Sequence, residues 1–275
     1  MFTKEELLEI KTLQEICEKD GGFQLKLNFD MLESRLGKRK EDFFHYEDGR
    51  LVGFLGFYGF GDKVEICGMV HPDYRRKGIF SELMEHGMVE AQNHYTTILL
   101  NAPTDSQTAK EFLKNIPCEF SIAEYQMKWH ETELLEDPQV TLRPSVSDED
   151  FEAEIQLEVL GFGINEKDAR EFNQELRNTI SGQRLIIEAD GITVGKMRVS
   201  ESNGEAWIYG FAIFPKLQGK GIGRKALSNV VKMEHQKGLP IFLEVEAKNA
   251  HALRLYESCG FRAYHSQDYY ILKEN

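Results

Sequence analysis

The sequence predicts an α/β protein in which one plan is written twice. Three observations carry this. First, landmarks recur at one spacing: Pro72 and Pro215, Gly78 and Gly221, and Ala109 and Ala252 each stand 143 residues apart. Second, the elements around them come in one order: apolar run, glycine loop, helix, apolar run, helix. Third, each half carries an Asp-Gly pair between β-rich runs, Asp48-Gly49 and Asp190-Gly191, the strongest short hairpin signal. The expected domains are residues 1–135 and 138–275. The junction falls in "HETELLEDPQV", which is acidic, contains Pro138 and precedes a fresh strand signal.

Along the first half, "KEELLEIKTLQEICEKD" reads as an amphipathic helix, and no clear equivalent of the second half's opening strand follows it. From Asp42, "FFHYEDGRLVGFLGFYGF" is a hairpin whose rings Phe54, Phe57, Tyr58 and Phe60 read as strand core. "KVEICGMVHP" is a long strand, "GIFSELMEHGMVEAQ" a helix, "TILLNAP" a strand and "SQTAKEFLKN" a helix. The second half opens with the short strand "VTLR". A helix over Ser147–Leu160 follows, with Ser147 as N-cap and Asp148, Glu149 and Asp150 in its first turn. Glu166–Ile180 is a second helix. "RLIIEADGITVGKMRV" is the hairpin and "EAWIYGFAIF" the long strand. A helix over Ile222–Gln236, the strand "IFLEVE" and a helix over Asn249–Cys259 come next, with Gly260 at a C-cap position. "RAYHS" and "YYILK" read as two closing strands.

Composition narrows the function classes. A formal net charge of −13 argues against a nucleic-acid surface, which needs clustered Lys and Arg. The eight histidines show no metal spacing, and the four cysteines form no C-x-x-C pair, so no metal site is expected. No apolar run approaches a bilayer span and the start is charged, so no membrane role is expected either. Widely spaced cysteines suit reduced thiols in a cytoplasm. A monomer or homodimer is expected.

The stretch "FPKLQGKGIGRKAL" brings three glycines to a strand-to-helix turn. Glycines let backbone N–H groups approach a ligand, and a helix start presents free donors at the positive end of its dipole. Together they make an anion site, with Lys220, Arg224 and Lys225 adding charge at its rim. Three readings compete. The glycines serve only a tight turn; or Gly221-Ile222-Gly223-x-x-Ala226 begins a dinucleotide fold; or the loop holds another phosphate. Against the dinucleotide reading, too little chain remains for a parallel sheet, and Pro215 separates strand from glycines.

"QGKGIG", Gln218–Gly223, resembles the Q/R-x-x-G-x-G/A acyl-CoA pyrophosphate motif of the GNAT N-acetyltransferases. "NAHALRLYESCGF", Asn249–Phe261, resembles that family's N-x-x-A-x-x-L-Y-x-x-x-G-F helix, and the two stand in the family's order. The resemblance covers nearly all of residues 138–275, and "FLEVEAKNAHALRLYESCGF" is similar to enzymes that acetylate the N-terminus of a ribosomal protein. The first half resembles the family more loosely. The implied fold is a pair of tandem domains, each a mixed, mostly antiparallel sheet flanked by helices. The implied activity is an acyltransferase's: direct transfer from acetyl-CoA to a primary amine, through a ternary complex. The implied acyl-CoA-binding residues are Ala212, Ile213, Gln218, Gly219, Lys220, Gly221, Ile222, Gly223, Arg224 and Asn249.

An amine attacks a thioester only when uncharged, so the site needs a base. Glu244 and Glu246 share one strand face, and a carboxylate inside a buried strand is costly unless used. The resemblance favours Glu244; Glu205, Tyr209 and a water chain are the alternatives. Tyr256 holds the family's general-acid position, which eases departure of the thiolate. Asn249 also suits an N-cap. The same spacing places Asn101 at the position of Glu244, Ser106 at Asn249, Leu113 at Tyr256, Arg75 at Gln218, Gly78 at Gly221 and Phe80 at Gly223. The first domain is therefore expected to be catalytically silent, a scaffold that shapes the acceptor cleft, with acyl-CoA binding through Arg75–Gly78 left open. The competing class is a non-catalytic acyl-CoA-binding sensor.

Overall fold

The computed structural model describes residues 2–35, 37, 39–135, 137–179, 182–202 and 204–273. It divides into two compact units. Unit 1 is Met1–Ala123 with His265–Asn275, and unit 2 is Glu124–Tyr264. The acidic segment expected to join two domains lies inside unit 2, where Asp137 pairs with Lys225.

Unit 1 begins with α1 (Lys4–Gly21), whose Thr3 and Glu6 form a capping box and whose chain exits through Gly22 at φ 67°. A short α2 (Phe29–Ser34) follows, which sequence patterning does not show. β1 (Asp42–Glu47) and β2 (Arg50–Phe60) form a hairpin. Its turn residues Asp48 and Gly49 both have positive φ, as a type I′ turn requires. β3 (Lys63–Val70) leads through a 3₁₀ turn at Pro72–Tyr74 into α3 (Ile79–His94), then β4 (Thr97–Pro103) and α4 (Gln107–Leu113). The sheet is buried on both faces. Ile79, Leu83 and Ala91 of α3 pack with Leu55, Phe57, Val64 and Ile66. Ile10, Leu13 and Cys17 of α1 pack with Phe54, Tyr58, Cys67 and Met69 on the other face.

The next strand, β5 (Cys118–Trp129), is divided between the units at Ala123. Unit 2 continues with β6 (Val140–Pro144), α5 (Asp148–Phe162), α6 (Glu166–Thr179), β7 (Gln183–Ala189), β8 (Ile192–Ser202) and β9 (Glu205–Ile213). Ser147 and Asp150 form the capping box of α5, and Ile180, the expected end of α6, lies outside the described residues. A second 3₁₀ turn at Pro215–Leu217 precedes α7 (Ile222–Gln236), β10 (Ile241–Glu246), α8 (Ala250–Ser258) and β11 (Phe261–Leu272).

The two expected closing strands are one, and β11 is divided at Tyr264 as β5 is at Ala123. "SQD" has the composition of a turn, yet Gln267 is wholly buried and pairs with Pro103 on β4. Its Nε2 donates to the Gln24 carbonyl (2.8 Å), and Thr104 donates to Asp268 (2.8 Å), while Gln267 Oε1 is buried and meets no donor among the described residues. Unit 1 thus carries β1-β2-β3-β4 with the last half of β11. Unit 2 carries the last half of β5 with β10-β9-β8-β7-β6. In both sheets the long strand pairs parallel with the strand after the glycine-loop helix, and its other recorded neighbour is antiparallel. Among the described residues no helix is long and apolar enough to cross a membrane.

Candidate active site

The sheet of unit 2 opens at one place. β9 and β10 pair as Ala206–Ile241, Trp207–Phe242 and Ile208–Leu243, and the ladder ends there among the described residues. On its other edge β9 slips against β8: Tyr209 faces Arg198, but Ala212 faces Lys196. One extra residue is thus inserted into β9, and Gly210 takes it at φ 56°. A bulge bends a strand locally, and past Ile208 β9 parts from β10 and leaves a cleft. The Phe214 amide donates to the Val194 carbonyl on β8 (2.9 Å). Amides alternate in direction along an extended strand, so that of Ile213 faces the cleft side.

The glycine loop closes the end of this cleft. Gln218 donates its Nε2 to the Ile213 carbonyl (2.9 Å), tying loop to strand. Gly219 and Gly221 sit at φ 76° and 78°, the left-handed region where a side chain is strained. Gly221 is the N-cap of α7, and no side chain caps that helix; its first intrahelical bond is from the Lys225 amide to the Gly221 carbonyl. The amides of Ile222, Gly223 and Arg224 therefore precede the helical ladder, aligned with the helix dipole. Lys220 and Arg224 are exposed beside them, whereas Lys225 pairs with Asp137 and does not add to the rim. Gly223 has ordinary helical φ; a Cβ there would touch Leu255 at 3.4 Å and Phe211 at 3.6 Å. These open amides and empty space suit the pyrophosphate of an acyl-CoA.

Tyr256 stands on α8, 8% exposed, with its ring between Phe211 and Phe261. Burial pushes its phenol up to about 12, so it holds its proton at neutral pH. Asn249 is the N-cap of α8: its Oδ1 accepts from the Ala252 amide (3.0 Å). Glu244 lies on β10 immediately past Leu243, at the mouth of the cleft, half-buried. It stands opposite Gln126 of β5, whose Nε2 donates to its Oε1 (3.1 Å). Glu205 is at the far end of β9, paired with Ser202 at the hairpin, and accepts from the Trp207 indole (2.8 Å). Five residues separate it from Gly210, roughly 17 Å of extended chain. Tyr209 lies beside the bulge, with the Arg198 guanidinium 4.6 Å over its ring. The structure thus brings Ile213, Gln218, the α7 start, Leu255 and Phe211 together, with Tyr256 beside Phe211, and leaves Glu205 remote.

Sequence reading missed Gly210, Gln126 and the part played by Phe211. One signal for the bulge was available. The hairpins repeat at 142 residues, Asp48-Gly49 against Asp190-Gly191, while the prolines repeat at 143. The step between these spacings lies in the long strand.

Unit 1 has the same splay without the bulge. β3 and β4 pair from Lys63–Thr97 to Ile66–Leu100 and stop, but β2 and β3 keep one register throughout. Arg75 repeats the tie of Gln218, donating its Nε to the Val70 carbonyl (3.1 Å), and its other arm pairs with Asp20 (2.7 Å). Phe80 packs edge-on against Phe112 at 4.9 Å and comes within 2.7 Å of where a Cβ on Gly68 would be. A cavity of about 950 Å³ opens here, lined by Ile66, Phe80, Met84, Leu100, Asn101 and Arg76, among others. Among the described residues no cluster of metal-ligating side chains occurs in either unit.

Comparison with known proteins decides the family. The model of the acetyltransferase (GNAT) family matches residues 7–115 and again 149–261. The chain belongs to the GNAT family. Both repeats carry its fold. A GCN5-related N-acetyltransferase from Sphaerobacter thermophilus superposes with a TM-score of 0.76 over 98% of this chain and 93% of that one, at 18% identity. A tandem GNAT protein of the clavulanic acid biosynthesis pathway gives 0.70 over 98% and 95%, at 14% identity. Among curated relatives, a spermine/spermidine N(1)-acetyltransferase of Bacillus subtilis is 39% identical over 62 residues, 22% of this chain and 41% of that protein. A ribosomal protein bS18-alanine N-acetyltransferase of Escherichia coli is 40% identical over 58 residues, 21% and 39% respectively. The matched stretches therefore span about two-fifths of those relatives.

Proposed function

We propose that unit 2 transfers an acetyl group from acetyl-CoA to a primary amine. What supports this is an uncapped α7 start, a bulged β9 and a buried Tyr256 whose ring neighbours Phe211 of that strand. The α7 amides with Gly219, Lys220, Gly221, Ile222, Gly223 and Arg224 hold the pyrophosphate. Gln218 fixes the loop, and Asn249 lies at the α8 start. The Ile213 amide, with the strand around Ala212, faces the thioester carbonyl, where negative charge develops. Glu244 takes a proton from the ammonium group, and the free amine attacks the thioester carbon. The C–S bond then breaks as the thiolate takes the proton of Tyr256, and the tyrosinate regains a proton from the nitrogen of the new amide. The named relatives acetylate spermine or spermidine at N(1) and an alanine of ribosomal protein bS18 at nitrogen, which supports an amine acceptor here.

The test is thiol release by the intact chain over an amine panel that includes spermidine and an alanyl peptide. Turnover with one of them, lost in Tyr256→Phe, supports the reading. No release with any amine, despite acetyl-CoA binding, replaces it with the sensor reading.

A second site is favoured by the cavity of unit 1. It opens beside an uncapped α3 start with Gly78 as N-cap, so an acyl-CoA held there without turnover is consistent with its shape. Asn101 and Leu113 supply neither base nor acid. A stoichiometry of two acetyl-CoA per chain by calorimetry supports it, and one per chain removes it.

A further inference from the structure

We infer that Gln126, a residue of the first repeat, is the positioning residue of the acceptor-side carboxylate in unit 2. The inference rests on the reading of Glu244 as the base. Gln126 lies on the half of β5 that completes the unit 2 sheet, directly opposite Glu244. It is 5% exposed, and its Nε2 donates to the Glu244 carboxylate at 3.1 Å. A carboxylate only accepts, so the amide orientation is forced and Oε1 points away. That Oε1 is buried and meets no donor among the described residues. A buried carbonyl without a partner is destabilising, and an apolar side chain of the same length would avoid the loss. Packing therefore does not explain a glutamine here, whereas its contact with Glu244 does.

The sister position shows what the sheet takes when no base needs holding. Gln126 corresponds to Tyr269 and Glu244 to Asn101, and these two also stand opposite each other. Tyr269 is 1% exposed, and its hydroxyl accepts from Lys26 (2.6 Å). Both polar atoms of Asn101 are buried without a partner. The Gln–Glu bond exists only where the cleft carries the bulge.

The physical consequence is one of charge. A side-chain amide that donates to a carboxylate fixes its orientation and favours its ionised form, so removing Gln126 is expected to loosen the first and disfavour the second. The other titratable and charged groups on the strands around Glu244 are Glu124 and Lys128 on β5, Glu246 on β10, Tyr209 on β9 and Arg198 on β8. Glu124 stands opposite Glu246, two residues on, and Lys128 opposite Phe242, two residues back. Neither position replaces a donor directly across the ladder.

The experiment uses the intact chain and three variants: Gln126→Met, Gln126→Lys and Glu244→Gln. The Glu244 carboxyl is followed by ¹³C NMR titration, with its signal assigned by its loss in Glu244→Gln. In Gln126→Met the titration is expected to move up by about half to one pH unit. In Gln126→Lys, which offers a cationic donor, it is expected to move down. Thermal stability of Gln126→Met should equal or exceed wild type. Thiol release with spermidine or an alanyl peptide should show its acid limb moving with the titration and kcat lowered about tenfold, with KM for acetyl-CoA within twofold. A Glu244 titration unmoved in both Gln126 variants overturns the inference, as does a Gln126→Met protein that melts well below wild type with an unshifted pH profile. If wild type releases no thiol with any amine, the acetyltransferase reading fails by itself. The titration still decides whether Gln126 governs Glu244.

Discussion

The two repeats share a sheet order, a hairpin bulge and a loop tie, and they part at three neighbouring places. In the hairpins the register slips between His45 and Tyr46 in one and between Ile187 and Glu188 in the other, 142 residues on. After that, β9 carries one residue more than β3, and the bulge at Gly210 is that residue. Next, a large and a small side chain have changed places: Phe211 with Gly223 in unit 2, Gly68 with Phe80 in unit 1. Last, Glu244 and Tyr256 stand where unit 1 has Asn101 and Leu113. On the proposed reading, the difference teaches that a fold can keep a cleft while carrying neither the acid nor the base. In unit 1 the ring of Phe80 stands where unit 2 has Gly223, packed against Phe112 and over Gly68.

The comparison breaks most sharply at the acid and base. Tyr256→Phe and Glu244→Gln should each lower kcat/KM for thiol release by about a hundredfold or more, the usual scale for a positioned proton donor or acceptor. Leu113→Tyr and Asn101→Glu in unit 1 should leave it within twofold. Because burial holds the Tyr256 phenol up at about 12, no loss of activity below pH 10 should trace to its ionisation. A basic limb near pH 8 that vanishes in Tyr256→Phe would sink the acid assignment.

Next in size is the bulge. Deleting Gly210 should restore one uninterrupted register between β8 and β9, as β2 and β3 have. The sheet should survive, since the deletion removes a left-handed residue and no core side chain. Turnover should fall by tenfold or more, because a one-residue slip turns the side chains of one half of β9 to the opposite face. A deletion variant that folds and keeps full turnover would show that the bulge serves packing alone.

What was legible in the sequence follows from how each feature is encoded. Glycine loops, Asp-Gly turns, the Ser147 cap and the periodic helices α1 and α7 act through neighbours in the chain, so local pattern revealed them. The closing strands depend on partners far away. "SQD" runs as strand opposite β4 with Gln24 and Thr104 as hydrogen-bond partners, and no window around residue 267 contains either. The junction at Pro138 looked like a linker, yet residues 124–128 already pair with β10, and Trp129 donates to the Cys259 carbonyl (3.0 Å). A chain starting at residue 138 therefore lacks a strand of the unit that holds Tyr256. Glu205 stayed an alternative to Glu244 as candidate base, because distance along a sheet is visible only once register is known. The Phe–Gly exchange was present in the spacing, but its meaning needs the contact between the two positions.

That exchange gives the third test. Gly223→Phe should drive a ring against Phe211 and Leu255, lowering acetyl-CoA affinity of unit 2 about tenfold and destabilising the protein. Phe211→Gly alone should leave a cavity and also destabilise. The double variant, which rewrites unit 2 as unit 1, should be more stable than the two single effects predict, since contacting residues couple. Its affinity should stay low. Strict additivity in thermal denaturation would mean that the two positions do not exchange volume.

The smallest expected effect lies at the edge of the sheets, where the repeats have opposite charge. Asp42 of β1 corresponds to Arg184 of β7. Arg184 pairs with Glu154 (3.4 Å), whereas Asp42 is 13% exposed and lies 3.3 Å from Arg35. Burial pushes the Asp42 carboxyl up to about 7, against an ordinary value near ~4 in the unfolded chain. Below pH 4 both states hold the proton and Asp42 costs nothing. From pH 4 to 7 the unfolded chain releases it while the folded chain keeps it, so stability falls as pH rises through that window and then levels off. Asp42→Asn should therefore match wild type at pH 4 and melt a few degrees higher at pH 8, with thiol release by unit 2 unchanged. An equal change in melting temperature at both pH values would assign the effect to packing, and would leave the Asp42–Arg35 pair no different in kind from the ion pair that replaces it in the sister unit.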